Sequence, residues 1–152
     1  LNDQLLYVLK LFDKGNDDDD KYYQRELTFY KTIANKNQFI CKFFGTIENR
    51  QKNAIIIEYI EGKTLEEFIL DLDNKITYFE KMKIILEILM TAEFVHLNDL
   101  VLRDLKWDNI VIDSNQNAIF IDFDRVRKIL EDDDDENITK NFGCEYFRQN
   151  KF

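Results

Sequence analysis

The stretch VLRDLKWDN, residues 101–109, places the tightest constraint on how this chain can fold. Arg103, Asp104, Lys106, Asp108 and Asn109 crowd into seven positions, while Val101 and Leu102 precede them and Ile110 and Val111 follow. A plain surface loop would be polar but would not need this order. Both ends have to be anchored in apolar surroundings while the charges stay together. That pattern suits a site that handles a charged substrate beside a metal.

Periodicity supplies the framework around the loop. LLYVLKLF (5–12) reads as a strand, and a helix follows over about 19–34 with Tyr23, Leu27, Tyr30 and Ile33 or Ala34 at helical spacing. The run Asp17 to Asp20 precedes that helix, where carboxylates meet the positive end of the dipole. FICKFFGTI (39–47) and NAIIIEYI (53–60) read as two strands of a hairpin across the polar turn 48–52. Thr64 with Glu67 three residues on forms a capping box for a short helix. A long helix is expected over roughly 78–97, with Met82, Ile85, Leu89 and Ala92 as its buried stripe. NIVID (109–113) and AIFI (118–121) flank Ser114-Asn115-Gln116-Asn117 as a second hairpin. The sum is an α+β plan with a sheet-rich front half and a helical back half.

A chain of 152 residues with 45% hydrophobic and 14% aromatic side chains is long enough to bury a sizeable core. Its formal charge of −9 repels phosphate at long range, which argues against general nucleic-acid or anionic-membrane binding and requires any phosphate to be held locally. Cys41 and Cys144 are far apart and form no CxxC pair, so neither a disulfide framework nor a zinc site is indicated, and an intracellular, cytoplasmic setting is expected. No apolar run approaches the roughly 18 residues of a membrane span. The acidic run Glu131 to Glu136 reads as a solvated loop.

Within this plan the charged positions converge. Asp104 and Asn109 sit on the loop after the long helix, and Asp122 directly follows the last hairpin strand, in IDFD. Hard oxygen ligands of this kind suit magnesium, which is held by one or two carboxylates plus substrate phosphates. Lys106, two residues past Asp104, is placed to neutralise phosphate charge. RDL alone reads as an ordinary loop ion pair; RDLKxxN followed by IDF at this separation favours the metal and phosphate reading.

LRDLKWDN resembles the HRDLKxxN catalytic loop of the eukaryotic protein kinase family, and DFD (122–124) resembles its DFG magnesium motif. The resemblance extends back through IIIEYIEGKTLEEFI (55–69) and REL (25–27) to YVLK (7–10), and His96 sits eight residues before Asp104 as the histidine ending the long helix does in that family. His96 itself reads as a packed structural residue. The resemblance implies ATP and Mg2+ as cofactors and a protein substrate. Lys10 would contact the α and β phosphates, Glu26 would orient Lys10, and Ile57 would back the adenine pocket, with Glu58 to Ile60 bonding the base. Asn109 and Asp122 would hold magnesium, Asp104 would accept the substrate hydroxyl's proton and Lys106 would stabilise the transferring phosphoryl group. Lysine at that position resembles the serine/threonine branch.

The departures are specific. Leu102 stands where the family has the histidine of HRD, Asp124 where it has the glycine of DFG, and GCEYFRQN (143–150) resembles a worn form of GTxxYxAPE. Only nine residues precede Lys10, without a glycine-rich loop. The implied fold is a partial protein-kinase-like bilobal domain, a small antiparallel sheet with one helix followed by the first part of a helical lobe. Residues 1–60 would run from the lysine strand to the hinge, and 61–152 would start the second lobe and reach through the activation segment. The implied activity is transfer of the ATP γ-phosphoryl group to a protein serine or threonine, weak or absent in a chain of this extent. A pseudokinase that binds nucleotide or a partner without turnover, and a kinase-like small-molecule phosphotransferase, are the other readings these residues allow.

Overall fold

The computed structural model describes residues 6–71 and 76–128. The acidic run 131–136, Cys144 and the segment 143–150 lie outside the described residues. In the front half, strand β1 (Tyr7–Asp13) leads through a turn to helix α1 (Asp17–Thr32), and β2 (Phe43–Glu48) and β3 (Lys52–Glu58) follow. The three strands form one antiparallel sheet in the order β1-β3-β2. Asn16 caps α1 by accepting from the Asp18 and Asp19 amides, and all four aspartates 17–20 lie in the first turn, where the helix dipole favours them. Phe12, Tyr23, Leu27 and Ile55 are buried in the core shared by helix and sheet.

The strand expected from residue 39 begins only at Phe43. Ile40 instead makes a parallel bridge to Phe120, with Cys41 N–H donating to the Phe120 carbonyl and Phe120 N–H to that of Phe39. The apolar run there is therefore divided between two partners, which periodicity in one segment does not reveal. This junction joins the front half to the back.

The back half contains β4 (Gly62–Thr64), α2 (Leu65–Leu70), α3 (Tyr78–His96), β5 (Leu100–Val101), β6 (Ile110–Asp113), β7 (Ala118–Phe120) and β8 (Arg127–Lys128). Thr64 and Thr77 each form a complete capping box, with Glu67 and Glu80. The β6–β7 hairpin forms as expected, and β4 adds to its free edge. Gly62 permits that approach, because a Cβ there would collide with the Ile112 carbonyl.

The α3 stripe differs from expectation. Met82, Ile85 and Leu89 are exposed, and the buried residues are Ile84, Glu87, Thr91 and Val95. Glu87 is buried because it has work to do there: its Oε2 accepts from Ala118 N–H at 2.8 Å, and Thr91 Oγ1 donates to the Glu87 carbonyl. A satisfied polar pair thus outranks an apolar stripe in setting the helix rotation. His96 is exposed at the end of α3 rather than packed, since the Val95 side of the last turn faces the core.

Candidate active site

Strand alternation turns Val8, Lys10 and Phe12 toward α1 while Tyr7, Leu9 and Leu11 point away. Lys10 Nζ donates to Glu26 Oε1 at 2.6 Å and to Asp122 Oδ1 at 2.8 Å, so one ammonium links β1, α1 and the segment after β7. Glu26 is fully buried and its Oε2 has no partner among the described residues. Burial pushes its carboxyl up to about 7, although Lys10 pulls the other way. Burial works against the Lys10 charge too, but the two carboxylates outweigh it and hold the amine above its ordinary value.

A second cluster forms on the loop before β6. Buried Asn109 donates through Nδ2 to the Asp104 carbonyl at 3.1 Å and to Asp104 Oδ2 at 3.2 Å. Lys106 Nζ reaches the same Oδ2 at 3.0 Å, and this bond raises the lysine's pKa. Two donors on one oxygen fix the carboxylate's orientation and leave Oδ1 to serve another group. Ile121 N–H donates to the Asn109 carbonyl at 3.1 Å, so the backbone before Asp122 is tied to this loop. Asp124 N–H points to Asp122 Oδ1 at 3.4 Å, and its half-exposed carboxyl is pushed up by burial and by the Asp122 charge.

Phe123 is buried between these clusters. It stacks on Phe29 with ring centroids 3.9 Å apart and meets Tyr30 edge-on at 5.6 Å. Phe29 and Tyr30 are not among the site candidates read from the sequence, although both follow Glu26 by one turn and so share its face of α1. Ile57 is buried in β3, opposite Val8 and Phe43 and two residues along from Ile55, which pairs with Lys10. Glu58 gives its N–H to the Lys42 carbonyl, and its carboxylate holds the Lys42 amide and ammonium at 3.2 and 3.0 Å. Ile60 is partly buried against the core.

The oxygen donors fit magnesium. Asp122 offers a carboxylate and Asn109 an amide oxygen, since the Asn109 nitrogen is the atom committed to Asp104. Among the described residues no three His, Cys, Asp or Glu side chains form a self-sufficient metal cage. Two protein ligands completed by phosphate oxygens is how magnesium is usually held.

A family model for the protein kinase domain matches residues 1–150. A probable serine/threonine-protein kinase of Dictyostelium discoideum is 29% identical over 138 residues, covering 90% of this chain and 22% of that relative. The maternal embryonic leucine zipper kinase of Xenopus laevis is 29% identical over 117 residues, 76% of this chain and 18% of its own length. The probable serine/threonine-protein kinase kinY of Dictyostelium discoideum is 33% identical over 110 residues, 65% and 19% respectively. The chain thus spans about a fifth of the length of these relatives.

Proposed function

Since the chain belongs to the protein kinase domain family, we propose that it transfers the γ-phosphoryl group of ATP to a serine or threonine hydroxyl of a protein. The observation that carries the reading is the position of the Lys10 ammonium, held between buried Glu26 and Asp122. Such a cation can exchange one carboxylate for phosphate oxygens while Glu26 keeps it in place. The exchange frees the Asp122 carboxylate, which together with Asn109 would hold magnesium. The ion, when bound, supplies charge neutralisation at the phosphates.

Asp104 accepts or orients the substrate hydroxyl's proton through the oxygen that Lys106 and Asn109 leave open. Lys106 offsets charge on the transferring group from 3.0 Å beside that carboxylate. Ile57 backs the adenine site, and the backbone of Glu58 to Ile60 bonds the base. The serine/threonine assignment draws on Lys106 and on the likeness to two probable serine/threonine-protein kinases.

Asp104→Asn separates chemistry from binding. It is expected to lower single-turnover transfer by about 10² to 10⁴-fold with ATP affinity nearly unchanged, whereas Asp122→Ala removes the magnesium-dependent part of ATP binding. An Asp104→Asn protein with an unchanged transfer rate overturns the mechanism. Asp124 favours a second reading, nucleotide binding without turnover, because it adds a carboxylate beside Asp122 where the family motif has glycine. Magnesium-dependent ATP binding in the parent sequence with no transfer at all would support that reading instead.

A further inference from the structure

Tyr30 follows Glu26 by four residues on α1, so both side chains leave the helix on one face. The ring is buried, stacked on Phe43 with centroids 5.6 Å apart and edge-on to Phe29 at 5.7 Å and Phe123 at 5.6 Å. A phenylalanine could make all of those contacts. The hydroxyl needs its own account, because burying one without a partner is unfavourable. Its partners are Cys41 Sγ at 3.4 Å and the Ile121 carbonyl at 3.3 Å. A hydroxyl has a single proton, so the arrangement that satisfies every group has Tyr30 donate to Ile121 and accept from the Cys41 thiol. Burial raises both acids, Cys41 to about 12, and each keeps its proton.

The Ile121 carbonyl and the Asp122 N–H belong to the same planar peptide unit. Fixing that plane places the Asp122 N–Cα bond and so limits the directions in which the side chain leaves the chain. On its other side Ile121 is tied through its N–H to the Asn109 carbonyl. Asp122 in turn contacts Lys10, whose other partner is Glu26 on α1. The contacts close a ring: α1 holds Lys10 through Glu26, Lys10 holds Asp122, and Tyr30 on α1 holds the peptide that carries Asp122.

We propose that the Tyr30 hydroxyl is a positioning group that couples α1 to Asp122 and keeps that carboxylate oriented for the magnesium–nucleotide complex, a role that rests on the reading of Asp122 given above. Tyr30→Phe deletes the hydroxyl and keeps the ring. In the nucleotide-free protein, amide exchange across residues 121–124 should rise by roughly fivefold, the loss expected for one neutral hydrogen bond, while exchange in α2 stays constant. ATP affinity measured with magnesium should weaken by a similar factor, roughly fivefold, and affinity measured without magnesium should not change. A hydroxyl that only filled space would move neither quantity selectively. Cys41→Ala leaves the Tyr30–Ile121 bond in place and should have the smaller effect on both.

Unchanged exchange at 121–124 in Tyr30→Phe overturns the proposal, as does an equal loss of affinity with and without magnesium. If the parent protein shows no magnesium-dependent ATP binding, the kinase reading fails, and the exchange experiment still decides whether the hydroxyl holds the Asp122 peptide.

Discussion

Glu26 is buried where no water reaches it, and its second oxygen has no donor among the described residues. Its carboxyl titrates at about 7 in the folded protein and at 4.5 in an unfolded chain. Between those values the folded state binds the extra proton. The Glu26 contribution to stability is therefore complete below 4.5 and is lost as pH rises through about 7. Thermal midpoints should fall for this reason across that window, and Glu26→Gln should flatten the slope; parallel profiles for the two proteins would exclude Glu26 as the source. At fixed pH, Lys10→Met and Glu26→Gln should each weaken ATP binding, and the double variant should lose less than the sum of the two. Full additivity would mean that the 2.6 Å contact has no part in binding. Lys10, Glu26, Asp104 and Asp122 could be named as candidates from the sequence because YVLK, REL, RDLKWDN and IDFD resemble family motifs, and the fold brings Lys10, Glu26 and Asp122 into contact. The Tyr30 hydroxyl was not, because its partner Ile121 is 91 residues away and only the fold brings them together.

Helix α3 and the β6–β7 hairpin are joined by a clamp of one lysine and one glutamate. Lys83 Nζ reaches the Gln116 carbonyl at 2.8 Å, Asn117 Oδ1 at 2.7 Å and Glu87 Oε1 at 3.3 Å. Glu87 meanwhile accepts the buried Ala118 N–H. The turn it grips includes Gln116 at φ 58°, a left-handed conformation that a non-glycine residue holds only with support. Asn109 and Asp122 flank the opposite end of this hairpin, so the clamp also steadies the site. Glu87→Leu strands the Ala118 N–H in an apolar setting and should cost about 1–3 kcal/mol in denaturant unfolding. Lys83→Met, which removes only exposed donors, should cost less, and equal losses would show that the buried N–H is not the dominant contribution. Both hairpins and the Thr64–Glu67 capping box were read from local chemistry, while the Thr77–Glu80 box emerged only with the structure. The rotation of α3 was not, since hydrophobic period alone cannot weigh a glutamate whose partner is a backbone amide 31 residues on.

Across the whole molecule, the apolar stripe that α3 does not bury faces outward. Phe79 is 83% exposed, Ile85 49%, Leu86 57% and Leu89 60%, and these residues recur at helical spacing, so they form one continuous face rather than scattered positions. Among the described residues no helix is long and apolar enough to cross a membrane. A face of this kind should bind a hydrophobic dye and promote association of the isolated 152-residue chain. The double substitution Ile85→Gln and Leu89→Gln keeps good helix formers and removes two central apolar groups. Dye fluorescence and light scattering should therefore drop, while the stability of each changed site stays within about 0.5 kcal/mol, as for surface positions. Val95→Gln, at a residue with no exposure on the opposite face, should cost several times more in the same assay. The contrast between the two faces is the decisive measurement. If the 85/89 variant unfolds as readily as Val95→Gln, that stripe is packed in solution, and α3 sits in the rotation its hydrophobic period favours instead of the one set by Glu87.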